Sequence, residues 1–251
     1  MDNLKLIDVS VHQGKIDWSV VKNHVDGVII RCGYGSDYTK QDDKRFKENV
    51  EGCIKYNIPF GVYLYSYAKD INAAKSEAYH VLRLLEPYKG KLSYPVYYDL
   101  EEAGTEAGAV ERAIVFGDII EKAGYWCGIY ANQYWWRTFL KDGLNRFTKW
   151  VAKYSTSEPS GISGTYDIWQ YSSCGLVPGI EGRVDMNICY RDFPSEICGK
   201  VADQKPKKSI LEIAKEVING LWGNGAERKE KLKEAGYDAK EVQQKVYELL
   251  K

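Results

Sequence analysis

Through about residue 190 the chain alternates two hydrophobic rhythms. Short runs of β-branched and aromatic residues, closed off by glycine, proline or acid, read as strands. Between the early ones, apolar residues recur at helical spacing. The strand-like runs are LKLIDV from Leu4, GVIIRCGY from Gly27, FGVYLYSYA from Phe60 and PVYYDLE from Pro95, then YWCGIYA from Tyr125, TKWVAKY from Thr148, TYDIWQY from Thr165 and RVDMNIC from Arg183. The helical stretches are FKENVEGCIKY, AAKSEAYHVLRLLEPY and AVERAIVFGDIIEKAG. Eight strands in βαβα order predict an α/β fold, a parallel TIM-like β/α barrel. The helices shorten after the fifth strand, so the expected barrel is irregular and flattened.

The rhythm changes near residue 199. GKVADQKPKK (199–208) is polar and reads as a linker. Beyond it, Ile210, Ile213, Ala214, Val217 and Ile218, then Val242, Val246, Leu249 and Leu250, keep helical spacing, with glycines at 220, 223, 225 and 236 marking the breaks. The expected layout is a barrel domain over 1–198, the linker, and a small all-α three-helix domain over 209–251. Charge divides at the same place: residues 205–251 carry 11 basic and 8 acidic side chains, whereas the whole chain is neutral. About forty residues is near the lower limit for an independently stable core.

On such a barrel the acids are conspicuous. YPVYYDLEE ends an apolar strand with Asp99 and Glu101. Strand side chains alternate, so the two carboxylates share a side with their Cα atoms roughly 6.6 Å apart. Asp8 ends the first strand and Asp185 lies in the last. The C-terminal strand ends of a β/α barrel meet at one face, where catalytic groups gather. Aromatic residues fall at matching places: Tyr63, Tyr65 and Tyr67, Tyr130, and Trp169 with Tyr171. A lone strand-end Asp is a common turn cap, but four acids from three strands, ringed by Tyr and Trp, predict a functional pocket.

Composition narrows the chemistry. The chain has 20 Tyr and 7 Trp against 6 Phe, a bias towards side chains with an apolar face and a polar tip that suits sugar, peptide or base surfaces. Zero net charge gives no support for nucleic acid as a partner. No apolar run of about 18 residues occurs, so no membrane insertion is expected. The first ten residues, MDNLKLIDVS, carry no basic segment followed by a long apolar one; the expectation is synthesis in the cytoplasm without a signal peptide. Six irregularly spaced cysteines favour buried thiols, and three histidines give no ground for a His-rich metal site. No cofactor is expected. Carboxyls with aromatic platforms, and neither a Cys nucleophile nor a phosphate-cradling glycine loop, favour glycoside cleavage with Glu101 as the acid, because its reach and aromatic setting can raise its pKa. A divalent-cation site built on the same acids and a lectin-like binder remain as alternatives at this level.

DVSVHQG (8–14), GVYLYSYA (61–68), YPVYYDLE (94–101), GIYANQYWWRTFL (128–140) and WQYSSCGLVPGIEGRVDMN (169–187) together resemble glycoside hydrolase family 25, the muramidase-type lysozymes, over roughly Leu4 to Asp192. The resemblance implies an irregular β/α barrel and hydrolysis of the β-1,4 bond from N-acetylmuramic acid to N-acetylglucosamine in peptidoglycan. It implies Glu101 as general acid and Asp99 as its partner, with Asp8 and Asp185 completing an acidic cradle. The spacing of the two carboxylates fits neither a direct nucleophile (carboxyls about 5–5.5 Å apart) nor activation of water (about 6.5–9.5 Å) to the exclusion of the other. A third route, attack by the substrate's own 2-acetamido oxygen with Asp99 orienting it, is the hypothesis adopted. Tyr63, Tyr65, Tyr130 and Trp169 are expected to line the groove, whereas Tyr134, Trp135 and Trp136 read as a packing helix. His12 and Gln13 fit either a substrate contact or a turn. The tail, GLWGNGAERKEKLKEAGYDAKEVQQKV, resembles one copy of a short three-helix cell-wall-binding repeat. Trp222, Asn224 and Arg228 are its expected peptidoglycan contacts, and a homo-oligomer through this domain would offset the single copy. The whole reads as a phage endolysin or autolysin that acts on the bacterial wall after release.

Overall fold

The computed structural model describes residues 3–203, 210–234 and 237–249. It divides into two compact units between Val201 and Ala202. The first is a closed eight-stranded barrel in sequential order, β1 (Leu4–Val9), β2 (Gly27–Tyr34), β3 (Phe60–Tyr65), β4 (Val96–Asp99), β5 (Cys127–Asn132), β6 (Thr148–Ala152), β7 (Ile168–Gly175) and β8 (Val184–Cys189). Around it run α1 (Trp18–Val21), α2 (Phe46–Tyr56), α3 (Ile71–Leu85), α4 (Ala109–Lys122), α5 (Gln133–Thr138) and α6 (Phe193–Asp203).

The expectation of a parallel barrel holds from β1 to β7 and fails at β8, which pairs antiparallel with both β7 and β1. The cause is the connection. Residues 176–183 contain no helix, and without a crossover element of a dozen or more residues the chain can only double back. The linker also needs correction. α6 continues through 199–203, because a polar segment is not thereby a non-helical one. Residues 204–208 lie outside the described residues.

Two cores flank the sheet. On the outer face, Ile7, Val28, Val62, Leu64, Val96 and Ile129 meet Val50, Val81, Phe116 and Ile120 from the long helices, and Tyr98 stacks on Phe116 at 3.9 Å. Inside, Leu6, Ile29, Tyr97, Trp150 and Ile168 fill the barrel, with Tyr94 and Phe193 in the same cluster. Trp150 is its pillar, with the rings of Tyr130, Tyr97 and Tyr63 at 4.5, 5.2 and 6.1 Å. Such bulk leaves room for hydrogen only at Gly128, where a Cβ would overlap both Tyr97 and Thr148.

The second unit has α7 (Ile210–Ile218), α8 (Gly225–Glu234) and α9 (Ala239–Leu249). Ile213, Ala214, Val217, Leu232, Val242 and Val246 form its core. No helix among the described residues is long and apolar enough to cross a membrane.

Candidate active site

Alternation along the strands turns Asp8, Arg31, Tyr63, Asp99, Tyr130 and Gln170 towards the same barrel mouth. Because β8 runs the other way, it contributes from its beginning. Asp185 stands directly opposite Asp8 in the β1–β8 register.

Asp8 is 4% exposed and held by two amides. Gln170 Nε2 and Asn187 Nδ2 each donate to its Oδ2 at 2.9 Å. The orientation of both amides follows from their other partners. Trp150 Nε1, which can only donate, gives its hydrogen to Asn187 Oδ1 at 2.8 Å. The hydroxyls of Tyr130 and Tyr154 donate to Gln170 Oε1 at 2.9 and 3.0 Å. Burial pushes the Asp8 carboxyl up, and the neighbouring Asp185 charge adds to this against the two amide donors. Partial burial raises Asp185 as well, while its hydrogen bond with Asp8 opposes the rise. Each carboxyl therefore holds its proton to higher pH than a free carboxyl would.

This has a consequence for stability. A carboxyl raised in the folded state stabilises the fold fully below its unfolded pKa, and that contribution is lost as pH rises through the folded value. Asp8→Asn keeps an acceptor for the two amides and a donor towards Asp185, without the titration. We predict that the variant gains stability over wild type as pH goes from 4 towards 8, by about 1 kcal/mol or more, in urea melts at stepped pH. A constant difference across that range would refute it.

Asp99 is 3% exposed, and its Oδ1 is buried with no hydrogen-bond partner among the described residues. Burial raises it well above the carboxylate range, followed by the charges of Glu101 and Asp8, while Arg31 pulls it down. Glu101 is raised by burial first, then by Asp185 and Glu102. All four predicted acids thus feel one another at a single mouth. Bonds from Ser66 N to Asp99 O (3.0 Å) and Leu100 N to Tyr130 O (2.9 Å) hold the chain extended up to Glu101. The following turn is pinned by Tyr65, whose hydroxyl donates to Glu102 Oε2 at 2.9 Å, and by buried Arg112, which donates to the carbonyls of Thr105 and Ala107. Among the described residues no group of three or more His, Cys, Asp or Glu is arranged to hold a metal ion.

Of the expected aromatics, Tyr63 and Tyr65 open onto the mouth, half-buried. Tyr130 lies deeper, 6% exposed, with its hydroxyl committed to Gln170. Trp169 is a correction. It alternates with the inward Gln170, so it faces away from the acids. It is 6% exposed, and its indole N–H donates to Lys153 O at 2.9 Å. Its place is taken by Tyr154, just past β6, which is 59% exposed and lines a cavity of about 370 Å³ with Glu101, Tyr130 and Asn132. Tyr134 lines this cavity too, 65% exposed, whereas Trp135 and Trp136 pack inside as expected. Gln13 serves the turn, accepting from Ser10 N at 2.8 Å. Sequence reasoning also missed Gln170, Asn187 and Arg31. The inward parity of Gln170 and of Asn187, two residues after Asp185, was the available signal.

In the second unit, a cavity of about 620 Å³ lies between α8 and α9, bordered by Arg228, Lys229, Lys240, Gln243 and Tyr247. Arg228 is oriented there by bonds from Nε to Gly223 O (2.9 Å) and from Nη2 to Asn224 Oδ1 (2.7 Å), so Asn224 positions Arg228. Trp222 packs against the core and donates to Glu216 Oε2 at 3.0 Å, which places it among the structural residues of so small a unit.

The chain is similar to known proteins in sequence and fold. Residues 7–180 match the glycosyl hydrolases family 25 and residues 212–250 match the CW_7 repeat. The lysozyme of Streptococcus phage Cp-7 is 27% identical, across 97% of this chain and 69% of its own. The modular autolysin LytC of Streptococcus pneumoniae is 34% identical with a TM-score of 0.64, covering 75% of this chain and 47% of LytC. The catalytic domain of endolysin ply40, from bacteriophage P40 of Listeria monocytogenes, is 28% identical with a TM-score of 0.70, covering 79% and 98%. The chain thus spans less than half of LytC. A family match over most of the barrel, on a structure that gathers Asp8, Asp99, Glu101 and Asp185 at one mouth, has one meaning: this chain belongs to glycosyl hydrolase family 25.

Proposed function

We propose that the chain is an N-acetylmuramidase, cleaving the β-1,4 bond between N-acetylmuramic acid and N-acetylglucosamine in peptidoglycan, and that it works as a phage endolysin or autolysin. The observation that carries this reading is the pairing of a raised, half-buried Glu101 with a buried Asp99 whose Oδ1 has no partner among the described residues. Glu101, protonated, delivers its hydrogen to the leaving oxygen. The substrate's 2-acetamido oxygen attacks the anomeric carbon as that bond breaks. Asp99 accepts the acetamido N–H and stabilises the positive charge that develops. Glu101, now a carboxylate, takes a proton from water, which opens the cyclic intermediate. Arg31 lowers the Asp99 carboxyl against its burial, which favours the carboxylate that the acetamido N–H and the developing cation require. The Asp8–Asp185 pair keeps negative charge beside Glu101, which helps it stay protonated. Tyr63, Tyr65 and Tyr154 border the sugars. The reading is tested on purified peptidoglycan: reducing ends must appear without new amino groups, and the reverse pattern would mean peptide or amide cleavage instead.

The C-terminal unit binds the wall through the α8–α9 cavity, with Arg228 as its cation and Tyr247 as its stacking face. Tyr247 is 58% exposed, so its removal leaves the core intact. We expect Tyr247→Ala and Arg228→Gln each to weaken co-sedimentation with insoluble peptidoglycan about 5-fold or more, while turnover of soluble strands stays at the wild-type value. Equal loss in both assays would deny the unit an anchoring role. One repeat gives little avidity, and self-association through this unit would supply more. Synthesis in the cytoplasm with later release to the wall completes the proposal.

A further inference from the structure

One flank of the barrel mouth differs from the rest. A cavity of about 370 Å³ adjoins the carboxyl cluster through Arg31 and Tyr65, and its walls also include Tyr34, Tyr67, Lys40 and Lys44. The tyrosines form one surface, with Tyr67 at 6.0 Å from Tyr34 and 5.1 Å from Tyr65 between ring centroids.

Two acids border this cavity, and each accepts hydrogen bonds from an arginine. Asp43 accepts from Arg31 Nε at 2.8 Å, and from the backbone N–H groups of Val11 and Arg45 at 2.9 Å. Asp42 accepts from Arg83 at 2.7 and 3.2 Å and is bonded to His80 Nε2 at 2.8 Å. Arg83, which lies outside the cavity lining, is shared between Asp42 and Asp37, to which its Nε donates at 2.6 Å. One guanidinium thus serves two carboxylates, and with Lys40 and Lys44 counted the flank keeps a surplus of positive charge. Lys40 and Lys44 are exposed and have no carboxylate partner among the described residues; Lys40 lies over the Tyr38 ring at 5.9 Å. The opposite flank has no such surplus. Its Lys153 sits beside Glu101 and donates to Ser157 Oγ and Glu158 O.

A glycan of acetylated amino sugars is neutral and offers a lysine pair nothing to neutralise. The anionic groups of a peptidoglycan strand are the free carboxylates of the peptide stems, which hang from the lactyl ether of each muramoyl sugar. We infer that this flank receives those stem carboxylates on Lys40 and Lys44, with the tyrosine surface against the stem's aliphatic side chains. The inference rests on the muramidase reading above and assigns the flank a share of substrate selection, through charge held at partly exposed positions.

The test uses the full chain and soluble, uncross-linked peptidoglycan strands freed of wall phosphate by hydrofluoric acid. Half of the material has its carboxylates converted to carboxamides with carbodiimide and ammonia. On untreated strands the double variant Lys40→Gln/Lys44→Gln should raise KM about 3- to 10-fold with kcat held. On amidated strands wild type and variant should coincide, and Lys40→Arg/Lys44→Arg should restore the wild-type KM on untreated strands. An equal KM change on both substrates, or none on either, overturns the inference. So does a variant effect that appears only on walls retaining their phosphate, which would make wall phosphate the ligand. Wild type that releases no reducing ends from untreated strands would instead overturn the muramidase reading itself.

Discussion

Replacing Glu101 with glutamine is expected to cut kcat on peptidoglycan by about 10³-fold, with little change in KM. Glutamine has the same shape and keeps the turn that Tyr65 and Arg112 hold, but it has no proton to give. Without that proton the sugar oxygen must leave as an alkoxide, which is the step the raised pKa of Glu101 serves. The defect should therefore depend on the leaving group. An aryl glycoside, whose phenol departs unaided, should lose far less than the polymer. Equal losses on both would show that Glu101 acts on something other than leaving-group protonation. In wild type the alkaline limb of kcat should lie above the ordinary carboxylate range, because burial and the charges of Asp185 and Glu102 all disfavour ionisation of Glu101.

Asp99→Asn carries the second large effect, and here activity and stability move in opposite directions. Asparagine offers a weaker acceptor to the acetamido N–H and no charge to the developing cation, so kcat should fall about 10²- to 10³-fold. The same change removes a carboxyl that is 3% exposed, partnerless at Oδ1 among the described residues, and crowded by Glu101 and Asp8. Its raised pKa makes its contribution to stability greatest below the unfolded value, with loss as pH climbs through the folded one. At pH 7 the variant should thus melt higher than wild type, and the gap should narrow towards pH 4. A functional residue that destabilises its own fold is a common trade. The route has its own readout. NMR of fresh product must show the retained anomer, since attack by the acetamido oxygen followed by water inverts the centre twice; an inverted product would eliminate that route.

Much of this was legible before any coordinates. β2 and α2 occupy the very runs read as GVIIRCGY and FKENVEGCIKY, because alternation and helical spacing report burial directly. Asp99 and Glu101 stood out since an apolar strand has no packing reason to end in two acids. Strand direction was less accessible. Nothing in RVDMNIC says which way it pairs; the lack of a helix between β7 and β8 did, and that spacing was in the sequence. Residue type alone points to Trp169 as a groove aromatic, although the parity that turns Gln170 inward turns Trp169 outward. Gln170 and Asn187 escaped notice because amides are common and neutral, and only their three-dimensional convergence on Asp8 Oδ2 makes them part of the site. Trp222 illustrates the opposite limit: in a unit of three short helices, a half-buried indole is part of what packs against the core.

Bond specificity defines a muramidase, and one digestion measures it. Purified peptidoglycan is treated with the full chain, the new ends are reduced with borohydride, and the fragments are identified by mass spectrometry. Muramitol is expected at the new ends. Glucosaminitol ends would mean cleavage of the other glycosidic bond, and an absence of reduced ends despite retention on the wall would leave a binding protein in place of an enzyme.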